Sequence, residues 1–265
     1  MEIILEVLEE TILILPMLLI MYAFLEYGET KNINIYDKLK KNGPLYGAML
    51  GVIPQCGISI IASIFFLEKK ITLGTLISVY IATSDEAIPL LLVHSESYMT
   101  TLYLIILKFI LAIIFGYLVD YFIHIEYKKK EVNNIEHTHS FWSEVITRTL
   151  KIYFFIVIVH ILLSYLFEYI GEETLSLILL NQSILQPVVA SIFGLIPHCI
   201  VSVVLTQLYY NQIVSFASLV AGLMSNAGMG LIVLIQNRVG IRLFLEIIGI
   251  LLTCAIITGL LLSLV

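Results

Sequence analysis

Eight apolar blocks govern what this chain can become: residues 3–25, 44–67, 71–95, 98–124, 144–167, 185–210, 213–235 and 240–263. Each is close to the roughly 20 residues that a helix needs to cross a bilayer. Windows of this length recur along the whole chain. The expected fold is an all-α polytopic membrane protein. Composition agrees, with 60% hydrophobic and 13% charged residues, against about 25% charged in a soluble domain. The acidic start MEIILEVLEE lacks the basic region of a secretory signal, so block 3–25 is expected to stay as a span. The 14 Lys and Arg sit mostly in short loops and form no basic face for nucleic acid.

Two blocks are interrupted in the same way, as GVIPQCGISI at 51–60 and GLIPHCIVSV at 194–203. At a constant offset of 143 residues Pro44 meets Pro187, Gly51 meets Gly194, Pro54 meets Pro197, Cys56 meets Cys199 and Ser59 meets Ser202. The chain reads as two copies of one four-block unit, residues 1–124 and 144–265, joined by a charged linker at 125–143. Lys31, Lys38, Lys40 and Lys41 in loop 28–43, and Lys128, Lys129 and Lys130 in the linker, place both connections in the cytoplasm. Three blocks separate them, so one must enter and leave by the same face. Block 44–67 is the candidate, because Gly51, Pro54 and Gly57 divide it into two arms of half-membrane length. A Pro-kinked simple crossing is the alternative, and it breaks the charge rule several times. With hairpins at 44–67 and 185–210 the two units are expected to be inverted repeats. Both termini then lie outside the cytoplasm, and every Lys and Arg except Lys108, which sits deep within a helix, falls on the cytoplasmic side.

Inverted repeats with interrupted helices place binding sites near the membrane midplane. Gln55, Cys56, His198 and Cys199 occupy the expected tips, where Pro54, Gly57 and Pro197 disturb the helix and free backbone carbonyls. Two thiols and an imidazole suit a soft or borderline metal ion. Small packing residues at a crowded turn are the competing reading. A second group is ATSDEAIP at 82–89, which puts Thr83, Ser84, Asp85 and Glu86 in mid-membrane, where carboxylates are costly and functional by default. Its counterpart, SNAGMG at 225–230, offers Ser225, Asn226 and Gly228 but no carboxylate. Lys108 is deep enough to need a partner. It is expected either to pair with Asp85 or Glu86, or to compete with a substrate cation for them. His160, the linker residues His137 and His139, Glu246 near the last helix's start and the acidic N-terminal turn are weaker candidates.

GVIPQCG, followed after a short EKK turn by TLISVYIATSDEAIPLLL, resembles the ten-helix heavy-metal exporters, also called manganese transporters or arsenic-efflux permeases. The resemblance runs through nearly the whole chain. It implies an inner (plasma) membrane permease for a metal or metalloid. By motif match Pro54, Cys56, Gly57, Ser84, Asp85 and Glu86 line one half-site, with Pro197 and His198 in the other. The resulting expectation is a secondary transporter, not an enzyme, that exports a divalent metal ion in exchange for protons through Asp85 or Glu86. It has no permanently bound cofactor; its partners are a small inorganic ion and the lipid bilayer. Two other readings stay open. One is an anion or small-acid carrier using half-helix N-termini. The other is an intramembrane lipid-pyrophosphate phosphatase, although neither tip carries the Arg or Lys that phosphate chemistry needs.

Overall fold

The computed structural model describes residues 15–16, 19–20, 42–83, 87–93, 98–123, 141–170, 185–237 and 239–264. Among the described residues the chain is helical and contains no strand. In the first unit, α1 is Gly43–Gly51, α2 Cys56–Leu67, α3 Leu73–Ala82, α4 Ala87–Val93 and α5 Tyr98–Phe122. Then come α6 (Phe141–Ile170), α7 (Gln186–Gly194), α8 (Cys199–Tyr210), α9 (Phe216–Ser225), α10 (Gly230–Gln236) and α11 (Ile241–Ser263). The offset of 143 residues carries the bounds of α1 to α4 onto those of α7 to α10, and α5 and α11 begin in the same register.

Each unit uses small residues to bring helices close, as tightly packed membrane helices do. Gly43, Gly47 and Gly51 form one face of α1 against α3. A Cβ at Gly47 would lie 2.8 Å from Thr75 O, and one at Gly51 2.7 Å from the Ala82 Cβ. On α5, a Cβ at Gly116 would meet the Pro44 Cβ at 2.7 Å; at the matching Gly259 on α11 it would meet the Pro187 Cβ at 2.6 Å. The duplicated sequence therefore packs the same three-helix unit twice, α1–α3–α5 and α7–α9–α11.

The segment α1–α2 is a hairpin rather than a kinked crossing. Gly43, at the start of α1, abuts Thr72 and Thr75, and Gly51, at its end, abuts Val79 and Ala82, so α1 runs parallel to α3. A short turn joins α2 to α3, and the Ser63 Oγ lies 2.6 Å from the Tyr80 hydroxyl, so α2 runs back antiparallel to α3. Both ends of the hairpin thus sit at one level. The second unit repeats this. Gln186, opening α7, donates from Nε2 to Ile213 O at 3.0 Å and accepts from Ser215 N at 3.1 Å, just beyond the end of α8.

Both hairpins close with the same cap. The Lys69 and Lys70 amides bond to Phe66 O and Phe65 O, and the Gln212 and Ile213 amides bond to Tyr209 O and Leu208 O. Lys69 and Gln212 both take the left-handed conformation at φ 59° that this cap requires. The start of α3 is held by Asp120, whose carboxylate accepts from Thr72 Oγ1 at 2.7 Å and from Gly74 N at 2.8 Å. A carboxylate at a helix N-terminus stabilises the exposed amide ends.

Between the units, α2 packs on α10, α8 on α4, and α3 on α9. Such reciprocal pairing is what a two-fold relation between equivalent units produces. Ser63 fastens one of these contacts, its Oγ lying 2.9 Å from Gly230 O. The broken span α9–α10 is the most enclosed, with every residue from 217 to 234 buried. By contrast α5 turns Leu102, Tyr103, Ile106, Ile110 and Ile114 outward, and Lys108, Ala112 and Gly116 inward. An outward apolar stripe of this length belongs in lipid, not water. Among the described residues Tyr98–Phe122, Phe216–Gln236 and Ile241–Ser263 are long and apolar enough to cross a membrane.

These contacts predict opposite outcomes for two glycines. Gly47→Val should cost about 1–3 kcal/mol through overpacking, whereas Gly249→Ala on α11, with nothing within 4 Å, should be neutral or stabilise by up to about 1 kcal/mol. Thermal melting of the detergent-solubilised protein compares them; equal midpoints would contradict the close α1–α3 packing.

Candidate functional site

Each hairpin tip lies beside the break in the helix that follows it. Gly51, the last residue of α1, touches Val79 and Ala82 at the end of α3, and Gly194, the last of α7, touches Gly222 and Ser225 at the end of α9. After α3 the backbone turns extended at Thr83 (φ −62°, ψ 132°). After α9 it does so at Asn226 (φ −76°, ψ 94°). Gly228 then adopts φ 55°, a left-handed turn that suits a residue without a Cβ. The Asn226 Oδ1 accepts from Gly228 N at 3.0 Å and stabilises that turn.

A helix that stops leaves its last carbonyls without donors from the next turn. Here one side chain serves both stops. Lys108, buried on α5, donates from Nζ to Thr83 O at 2.5 Å and to Leu223 O at 2.9 Å. The two breaks, one from each unit, therefore meet around a single ammonium. Hydroxyls occupy the neighbouring carbonyls, with Thr83 Oγ1 donating to Val79 O at 2.7 Å and Ser225 Oγ to Gly222 O at 3.0 Å.

The tips bond many of their own backbone groups. Several of their carbonyls have donors: Ile53 O accepts from Gln55 N, Gln55 O from Ile58 N, and Cys56 O from Ser59 Oγ. In the second tip Ile196 O, His198 O and Cys199 O accept from His198 N, Val201 N and Ser202 Oγ. At the breaks, by contrast, Thr83 O and Leu223 O accept from a cationic group.

The remaining predicted site residues fall into two groups. Cys199 is buried in an apolar cluster with Ile60, Ile64, Ile156 and Met229, and half-buried Cys56 packs against the same cluster. Sulfurs from both tips and from the second break share one neighbourhood. His198 is buried, and both ring nitrogens are engaged. The Ile200 amide donates to Nδ1 at 3.1 Å, which leaves Nε2–H to donate to Ser164 Oγ at 3.1 Å. This fixes the neutral tautomer, and a metal at either nitrogen would have to displace a bonded group. Pro54 is exposed, Gln55 and Pro197 are half-buried, and Gly57 is buried. Glu246 pairs with Arg242 at 3.2 Å on the outer surface of α11.

Ser84, Asp85 and Glu86 lie outside the described residues, as do His137, His139, the acidic N-terminal turn and the side chain of His160. Among the described residues no group of three or more His, Cys, Asp or Glu is placed to hold a metal ion. Sequence reading passed over the roles of Ser164 and Met229. A serine and a methionine in apolar helices carry no pattern of their own, and only the fold brings them to His198 and the cysteines.

Exposure ranks the thiols. A membrane-permeant maleimide should label Cys56 several-fold faster than Cys199 and Cys254, each only 7% exposed. Peptide mass spectrometry after timed labelling reads the order, and faster reaction at Cys199 would overturn the closed second tip.

A family model described as "Putative, 10TM heavy-metal exporter" matches residues 12–169, more than half of the chain. The matched region takes in the first hairpin, the broken span α3–α4 and Lys108. Neither the curated proteins nor the solved structures gave a match.

Proposed function

Since the chain belongs to the 10TM heavy-metal exporter family, we propose that it is a secondary transporter carrying a divalent metal ion out of the cell by alternating access around the helix breaks. The observation that carries this reading is the meeting of both breaks at one buried point. Half-helix C-termini and unwound carbonyls are the groups with which membrane transporters coordinate cations. Two such ends converge on Lys108, one from each unit. This preponderance of carbonyl oxygens favours a cation as cargo over an organic anion. The tips carry no Arg or Lys to hold the phosphates of a phosphatase substrate.

In this reading Asp85 and Glu86 supply the charge that carbonyls lack and exchange protons for the ion. They follow Thr83 closely in the chain, and Thr83 O is one of the two carbonyls at the meeting point. Cys56, Cys199 and Met229 contribute polarisable sulfur, which selects borderline or soft ions over calcium and magnesium. Asn226 adds a neutral oxygen from the second unit. The units act as inverted repeats in the cell membrane. Support comes from the side-by-side packing of α2 with α10 and of α8 with α4, which sets each hairpin arm at the depth of the other unit's second half-helix. The distribution of Lys and Arg along the chain also supports it.

Proteoliposomes loaded with manganese, zinc or arsenite at a set pH gradient test the proposal. Wild-type protein should move at least one of these ions with counterflow of protons. Glu86→Gln or Asp85→Asn should reduce that flux to background while leaving the size-exclusion profile intact. Full flux in both variants would refute proton coupling through these residues, and no flux of any ion would refute the export reading.

A further inference from the structure

We propose that the C-terminal ends of α3 and α9 together form a cation-binding position that the ammonium of Lys108 fills as a tethered surrogate ion. Each helix end carries the equivalent of about half a negative charge. Two ends facing one point therefore attract a cation more strongly than either end alone. The contacts have the form expected of a coordinated cation: Thr83 O at 2.5 Å and Leu223 O at 2.9 Å, contributed by separate units. Lys108 is 1% exposed. Its counterpart in the second unit is Leu251, also buried, so only one of the two equivalent places carries a lysine.

A lysine that only filled space would not need both carbonyls. Here the ammonium ties the two units together at their breaks, and removing it leaves two carbonyl ends facing each other in a buried site. Resting on the export reading is one further step: the transported ion competes with Lys108 for these oxygens. Loading then expels the ammonium and frees α3 from α9, and unloading lets it return. Lys108 is accordingly a positioning residue with the properties of an internal competitor.

Two measurements on the purified full-length protein separate this position from the export reading. The first is the thermal midpoint in detergent under rising methylammonium or sodium, with N-methylglucamine as the control cation. Lys108→Ala should melt several degrees below wild type and recover at least half of the loss, saturably, with methylammonium or sodium. Wild type should not respond. Equal response in both proteins, or none in the variant, would overturn the cation position. If the alanine variant yields no folded protein, Lys108→Gln takes its place in the same assay, where saturable recovery supports the position and its absence overturns it. The second measurement is equilibrium binding of manganese and zinc. Lys108→Ala should bind whichever ion the wild type carries at least tenfold more tightly. Weaker or unchanged binding would overturn the competition. Should the first assay succeed while wild-type protein transports no metal, the cation position stands and the export reading falls.

Discussion

The need to satisfy backbone groups inside lipid shapes this protein more than any other constraint. A helix that breaks in mid-membrane exposes carbonyls whose desolvation costs several kcal/mol each unless a donor reaches them. The chain breaks two spans at equivalent places and answers both breaks with one residue, Lys108, bonded to Thr83 O and Leu223 O. At the hairpin tips it uses nearer partners: Gln55 N, Ile58 N and Ser59 Oγ in the first, His198 N, Val201 N and Ser202 Oγ in the second. Local turns thus close the tips, while the breaks depend on a contact that holds the two halves together.

Symmetry supplies the frame and a few substitutions supply the chemistry. Gly116 and Gly259 seat Pro44 and Pro187 in the same way, and Thr72 and Ser215 cap α3 and α9 by the same hydroxyl bond to the third residue. Departures gather around the centre. Lys108 faces its equivalent Leu251 in sequence, Tyr80 its equivalent Leu223, and Gln55 its equivalent His198. Asp120 steadies the first cap, whereas Gln186 steadies the second. A pair of identical units would place identical charges against each other; dividing the roles leaves one buried lysine where the second unit has a leucine.

The hairpin was legible in the sequence because Gly51, Pro54 and Gly57 break a helix by local rules, and because loop charge disfavours a simple crossing. The convergence of the two breaks was not. It depends on a contact between Lys108 and Leu223, 115 residues apart, and no local pattern encodes such a distance. How the tip carbonyls next to each proline are bonded was not legible either. Pro54 and Pro197 do remove amide donors, yet the extended residues Gln55 and His198 turn their own amides back onto Ile53 O and Ile196 O. His198 read as a ligand from its neighbours, whereas the Ile200 amide sets its tautomer and Ser164 on α6, 34 residues upstream, receives its Nε2 hydrogen.

By itself the sequence determined what short-range physics controls: continuously apolar blocks force helices in lipid, a repeated spacing forces a repeated fold, and Pro and Gly fix where helices stop. The offset of 143 residues reappears in the helix bounds for that reason. Tertiary structure alone decided which groups those stops would face. Whether a carbonyl meets a backbone amide, a hydroxyl or the ammonium of a distant lysine depends on helix packing, and that packing is set by the glycine faces of α1, α5 and α11.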